Sequence, residues 1–294
     1  MSRIREIKRR IKSVKSIGQV THAMELVAAS RMKRAQDNVK RGRAYSDKIR
    51  EILIRITTKQ RFDLHPLLDL SKAHPHKVLV LVFSTQRGLT GGLTWNMLKH
   101  TQQLLADLKK AGKEITIITI GKKISSQLVR LGFTVEADFS SIPEMPTTGD
   151  IRPIYTMIRE KYSRTDIGEV IVVYPKFINA VQQLPVTRVI LPLDFGELKQ
   201  YGEQFDIQGE RQTTFVFEPR RRDIIDQLLL SYLESQIYQA KLEAVASEYS
   251  ARRMAMKNAS DNAMEIQSAL SLDFNKSRQA QITAELAEIA GGSL

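Results

Sequence analysis

The sequence predicts an α/β protein: long N- and C-terminal helices paired as an antiparallel coiled coil, plus a central Rossmann-like α/β domain. Three observations carry this. The stretch from Arg3 to about Thr57 has no proline, and only Gly18 and Gly42 interrupt strong helix formers. A second stretch, from about Arg221 to Ile289, has neither proline nor glycine. Between them, short apolar runs alternate with helical periodicity. The implied segments are residues 1–60, an N-terminal shaft helix; 61–219, the α/β domain with its loops; and 220–294, a C-terminal shaft helix.

The first helix is about 80 Å long at 1.5 Å per residue, longer than a small domain is wide. Its apolar residues Ile4, Ile7, Ile11, Val14, then Ala28, Met32, Ala35 and Val39, fall on alternating steps of three and four. Ile17, Val20, Met24 and Val27 form a stripe shifted by one position. Such drift predicts a gently supercoiled pair. The last helix follows Pro219, a residue tolerated at helix starts and poor inside them. At about 100 Å it is the longer of the two, and Gly291-Gly292 closes it. Ala240, Ala244, Ser247, Ala251, Ala255, Ala259 and Ala263 make a stripe of small residues, expected to face the first helix, because small side chains allow close backbone approach. Chain order makes the pairing antiparallel and leaves a lone helical tip of about 20 Å.

In the middle, Val78–Phe83, Glu114–Ile120, Glu169–Tyr174 and Pro185–Leu191 read as strands, the first and third buried on both faces. Leu93–Lys110, Ile124–Leu131 and Ile151–Tyr162 read as helices, and Phe62–Pro75 and Ser140–Thr148 as loops.

Charge is placed unevenly. Residues 1–60 hold 17 Lys/Arg against five Asp/Glu, while residues 221–290 hold eight basic against ten acidic residues. Nearly all of the net +13 therefore lies on one arm, which calls for an acidic partner surface, nucleic acid or anionic lipid. The arm holds one aromatic, Tyr45, so base stacking is scarcely available. An Arg-rich start, Met1–Ser16, resembles a targeting peptide, yet helical periodicity runs through it from Ile4 without a cleavage-like break; retention is expected. There is no cysteine, which excludes disulfides, thiolate catalysis and cysteine-bound metal. No apolar run reaches the 18 or so residues of a membrane span, so no direct membrane insertion is expected, and a soluble cytoplasmic chain fits.

Gly88-Leu-Thr-Gly91-Gly92 follows a strand and precedes a helix, where phosphate-binding turns occur, but it matches neither dinucleotide nor P-loop patterns. A tight packing turn is the plainer reading. His74-Pro-His76 is the only close pair among His22, His65, His74, His76 and His100, and no carboxylates accompany it. No nucleophile-and-base signature occurs. No catalytic, cofactor or metal site is expected.

Ile4–Val14, Thr21–Ser30, Arg87–Gly92, Tyr232–Tyr238, Ala255–Asn262 and Asn275–Thr283 together resemble the gamma subunit family of F-type ATP synthase. The blocks span both ends and the centre in the family's order. The resemblance implies a non-catalytic rotary subunit that couples ion flow to ATP synthesis or hydrolysis. Its coiled coil would turn inside a ring of three alpha and three beta subunits. Its α/β domain would lie beside the epsilon subunit and the membrane c-ring. Nucleotide would bind to the ring, with no cofactor here and no nucleic acid. The setting implied is the cytoplasmic side of a bacterial inner membrane, bound peripherally. By position, Arg278 and Gln279 would touch loops of a beta subunit and couple rotation to site opening. Met24 would face the torque-bearing beta loops. Phe215 and Glu218 would lie at the foot near the c-ring and epsilon. Leu286, Ile289 and Leu294 would sit in an apolar collar. The alternatives are a basic coiled-coil nucleic-acid-binding protein and an α/β enzyme built on the Gly88–Gly92 turn.

Overall fold

The computed structural model describes residues 2–57, 76–164, 166–193 and 221–291. In chain order the elements are α1 (Ser2–Thr57), β1 (Lys77–Phe83), α2 (Leu93–Lys110), β2 (Glu114–Ile120), α3 (Lys122–Arg130), β3 (Val135–Asp138), α4 (Thr148–Ser163), β4 (Glu169–Phe177), β5 (Gln183–Leu191) and α5 (Arg221–Gly291). These divide into two compact units, residues 1–30 with 252–294, and residues 31–251. The two long helices contribute to both.

The unit of residues 31–251 is built on a five-stranded sheet of order β3-β2-β1-β4-β5. β1 pairs in parallel with β2 and β4, and only β5 runs antiparallel, as the second arm of a hairpin with β4. Every residue of β1 from Val78 to Phe83 is buried, as expected of a central strand covered on both faces. Alternation sends Leu79, Leu81 and Phe83 to one face, where α4 (Ile151, Ile154, Ile158) packs with the adjoining parts of α1 (Ile49, Leu53) and α5 (Leu229, Leu233, Ile237). Val78, Val80 and Val82 meet α2 (Met97, Leu105) and α3 (Ile124, Leu128) on the other face. Each such buried side chain contributes about 1.5–3 kcal/mol, so the sheet anchors both long helices.

The four expected strands and three helices are present. The sequence missed β3, a four-residue edge strand, Val-Glu-Ala-Asp, too short and polar to signal. It also started α4 late. Thr147 and Asp150 form a capping box there, in which the Thr147 backbone N donates to Asp150 Oδ2 at 2.7 Å. The loop Ser140–Thr148 is irregular as expected up to Thr147, whereas all of Phe62–Pro75 lies outside the described residues.

Within this unit α1 and α5 pair antiparallel. Met32, Ala35 and Val39 pack against Leu242, Val245, Ala246 and Tyr249. A Cβ on Gly42 would meet Gln239 Oε1 at 2.3 Å and Leu242 Cδ1 at 3.0 Å, so glycine permits this approach. The small-residue stripe does not face α1 here, contrary to the sequence expectation. Ala240 and Ala244 join the sheet-side core, and Ser247 Oγ donates to the Pro175 carbonyl at 2.8 Å. Small side chains let α5 lie close on the sheet domain, while Leu242, Val245 and Tyr249 fill the seam with α1.

Candidate partner-binding surface

In the unit of residues 1–30 and 252–294, the inward positions of α1 are Ile4, Ile7, Ile11, Val14, Gly18, Thr21, Glu25 and Ala28, all half-buried or buried. Their steps alternate strictly between three and four, which is a heptad. The drifting stripe expected from apolar residues is therefore corrected. Ile17, Val20 and Val27 are more than half exposed, and Met24 is half-buried beside Glu25. The seam instead passes through Gly18, where a Cβ would meet Ala263 Cβ at 3.3 Å, and Thr21, whose hydroxyl donates to the Ile17 and Gly18 carbonyls. On α5 the inward row is Met256, Ser260, Ala263, Gln267, Leu270, Phe274, Ser277 and Gln281. Residues 282–287 are all exposed, so the described helix continues beyond its seam.

Apolar residues excluded from the seam form the outer surface. They are Ile17, Val20, Leu26 and Val27 on α1, and Met264, Ile266, Leu272, Ile282 and Leu286 on α5. Nine large apolar side chains of this unit are thus exposed. Seven cations of α1 share the exterior, Arg3, Arg5, Lys8, Arg9, Arg10, Lys12 and Lys15, with Glu6 bound to Arg10 at 2.7 Å. Arg278 and Gln279 are exposed on α5, and Leu286 is 61% exposed. Residues 278, 279, 282 and 286 are spaced to share a helix face. Ile289 falls within α5, but its side chain is not among those described; Phe215, Glu218 and Leu294 lie outside the described residues.

The unit of residues 31–251 holds a polar cluster that the sequence did not disclose. Glu144, on the loop before α4, accepts from Arg31 Nη1 at 3.0 Å and from Arg87 Nε at 3.0 Å. The Tyr249 hydroxyl also donates to Glu144 and accepts from Arg31 at 3.1 Å, while the Arg31 guanidinium lies 5.8 Å from the Tyr249 ring centre. One carboxylate thus joins α1, the Gly88–Gly92 turn and α5. Nearby, the Gln86 backbone N donates to Glu248 Oε2 at 3.4 Å, and its amide donates to the Ser140 carbonyl at 3.0 Å. Burial holds the Lys241 ammonium below its usual range despite Glu248 and Glu144. Burial likewise raises the Tyr249 hydroxyl, and the bond to Glu144 adds to this. No local pattern marks Glu144. It stands 105 residues from Tyr249, and only the fold joins them.

At the Gly88–Gly92 turn a Cβ on Gly88 or Gly92 would meet no atom nearer than 3.8 Å, so close packing does not require glycine at those two positions, contrary to the sequence expectation. Leu89 and Gly91 adopt positive φ, and the Thr85, Thr90 and Thr94 hydroxyls bond one another. Leu89 takes a conformation for which the sequence offered only glycines. Among the described residues there is no group of three or more His, Asp or Glu able to hold a metal. Of the histidines, His100 Nε2 lies 2.9 Å from Thr187 Oγ1, and His22 stands 3.5 Å from Glu25. No described helix is long and apolar enough to cross a membrane.

The family model described as ATP synthase matches residues 3–293. The ATP synthase gamma chain of Herpetosiphon aurantiacus is 38% identical, covering 100% of this chain and 98% of the relative. That of Pelotomaculum thermopropionicum is 36% identical, covering 100% and 99%. Among solved structures, the rotor of Euglena gracilis mitochondrial ATP synthase aligns with a TM-score of 0.63 at 17% identity, over 96% of this chain and 99% of that one. The central stalk and c-ring structure from Tetrahymena thermophila aligns with a TM-score of 0.55 at 21% identity, over 82% and 99%. These two likenesses bear on fold alone.

Proposed function

Because the chain belongs to the ATP synthase gamma chain family, we propose that it is the central rotor stalk of an F-type ATP synthase. The alpha and beta subunits form the surrounding ring, and the epsilon subunit and membrane c-ring lie at its foot. The observation that carries this reading is the paired-helix unit, with a strict heptad seam inside and exposed apolar and cationic residues outside. A shaft needs a stiff interior and an exterior that makes exchangeable contacts. Interdigitated seam residues resist bending and slippage. The exposed cations of residues 3–15 attract acidic loops without the cost of deep desolvation, so one loop can replace another as the shaft turns.

Catalysis is assigned to the ring, and this chain is non-catalytic. Its contribution is mechanical: an asymmetric shaft presents a different face to each of the three beta subunits, so their sites differ at any instant. Arg278 and Gln279, exposed on α5, are proposed to engage a beta loop, with Met24 at the same torque-bearing zone. Leu286, with Ile289 and Leu294, is proposed to run in the apolar collar, and Phe215 with Glu218 to contact the foot partners. The complex is placed peripherally on the cytoplasmic side of a bacterial inner membrane.

The nucleic-acid reading finds no support among the relatives, and Tyr45, the lone aromatic of the basic arm, offers little stacking. Purified alpha and beta subunits mixed with this chain provide the test. A stable complex that hydrolyses ATP only when the chain is present fits the proposal. A ring that forms and turns over equally well without it overturns the proposal.

A further inference from the structure

Within the unit of residues 31–251, the loop of residues 140–147 between β3 and α4 is fastened down along its length. The Gln86 amide donates to the Ser140 and Ile142 carbonyls at 3.0 and 3.4 Å. Arg31, Arg87 and Tyr249 converge on Glu144. Met145 packs against the core that holds Leu242, Val245 and Tyr249. The Tyr238 hydroxyl donates to the Pro146 carbonyl at 3.2 Å. The loop is therefore a strap laid across α5.

One side chain on the covered face of α5 does not suit its place. Tyr238, Lys241, Val245 and Glu248 follow steps of three and four, so they share one face of the helix. Tyr238 bonds the strap, and Glu248 accepts from the Gln86 backbone N at 3.4 Å. Lys241 sits between them and is only 3% exposed. Among the described residues its ammonium makes no hydrogen bond, and no carboxylate lies within ion-pair distance of it. Burial disfavours its charged form and outweighs the longer-range attraction of Glu248 and Glu144, so the pKa lies below the ordinary lysine value. A buried charge without a close partner is costly. Opening the strap lets water reach the ammonium and removes that cost.

We propose that Lys241 is a built-in release for the strap: its buried charge favours lifting residues 140–147 off α5 while the sheet beneath stays folded. A neutral side chain of similar length would hold the strap down. Lifting it takes Glu144 away from Arg31 and Arg87, so α1 and the Gly88–Gly92 turn lose the carboxylate they share. The device belongs to this unit alone and uses none of the residues assigned to partner contact, so it stands or falls apart from the role of rotor stalk.

Hydrogen exchange of the full chain at pH 7, resolved to single amides, tests this. Gln86, Ile142 and Thr147 report on the strap, since their backbone N–H groups bond Glu248, the Phe139 carbonyl and Asp150. Leu81, in the buried central strand β1, reports on opening of the whole unit. In the unaltered chain the strap amides should exchange about tenfold faster than Leu81, or more, because they open locally. Replacing a buried ionic group by an apolar one commonly stabilises, so Lys241→Met should slow the strap amides roughly fivefold. If Lys241→Met does not fold, Lys241→Gln, equally uncharged, carries the same expectation. Lys99→Met, an exposed charge loss in the same unit, should leave the strap amides unchanged. Four outcomes overturn the assignment. Strap amides no faster than Leu81 mean that the strap opens only with the whole unit. Strap amides unmoved by the Lys241 variants, whether or not Leu81 slows, mean that the ammonium stays covered when the strap lifts. Faster exchange in those variants means that Lys241 anchors the strap, and an equal slowing by Lys99→Met means a general response to charge.

Discussion

Replacing Glu144 by glutamine removes a single charge but keeps the side-chain volume, and three partners lose strength together. Arg87 is 72% exposed, so its ion pair contributes at most about 1 kcal/mol. Arg31 is 44% exposed and Tyr249 is buried, and each donates to the same Oε2. Hydrogen bonds to a charged group contribute about 1.5–3 kcal/mol each, the lower end applying where solvent reaches the partner. The amide oxygen can still accept one of them, so the net loss is about 2–4 kcal/mol for the unit of residues 31–251. Urea unfolding of Glu144→Gln, Arg31→Met and the double variant measures it. The coupling energy of this cycle should be about 1 kcal/mol or more. A cycle additive within about 0.3 kcal/mol, or a loss for Glu144→Gln no larger than that of the exposed pair Glu6–Arg10, would refute the idea that one carboxylate ties α1 and α5 to the turn.

Three further outcomes follow. Arg278→Ala with Gln279→Ala removes only exposed groups, so stability should change by less than about 0.5 kcal/mol; ATP turnover by the assembled complex should nonetheless fall severalfold, and unchanged turnover sinks the coupling role. Gly18→Ala places its Cβ 3.3 Å from Ala263 Cβ, and this crowding offsets the helix-propensity gain of about 1 kcal/mol, whereas Gly18→Leu should cost about 1–3 kcal/mol by forcing the seam apart; thermal unfolding of the two variants separates the cases. Burial, then Glu243, raises the Tyr174 hydroxyl against the opposing pull of Arg188 and Arg43. The unfolded chain therefore releases that proton first, and stability should be intact below pH of about 10 and fall as pH climbs from there through the folded-state value. Tyr174→Phe should flatten the fall between pH 9 and 11 in urea midpoints; an identical slope contradicts it.

The long helices and the sheet were legible because their signals are local: absence of proline, buried runs of β-branched residues, and glycines at a strand-to-helix turn. The seam was misplaced for a physical reason. Hydrophobicity says that a residue prefers burial, not against what. Ile17, Val20 and Val27 are apolar yet outward, while Gly18 and Thr21 carry the heptad. The small-residue stripe of α5 packs closely as expected, but Ala240, Ala244 and Ser247 do so against the sheet domain and only Ala263 meets α1, because sequence cannot say which neighbour comes close. The Thr147–Asp150 box was readable from its spacing and went unread. Glu144 could not be read at all, since its partners lie on α1, the turn and α5, brought together only by the completed fold.

Rotation itself is the most direct observation. The chain has no cysteine, so Val181→Cys, at a hairpin position 74% exposed, supplies a single attachment point for an optical marker on the chain held in an immobilised ring of alpha and beta subunits. With ATP supplied, the marker should turn in one direction, pausing at thirds of a revolution. ATP consumption with a stationary marker would contradict the account.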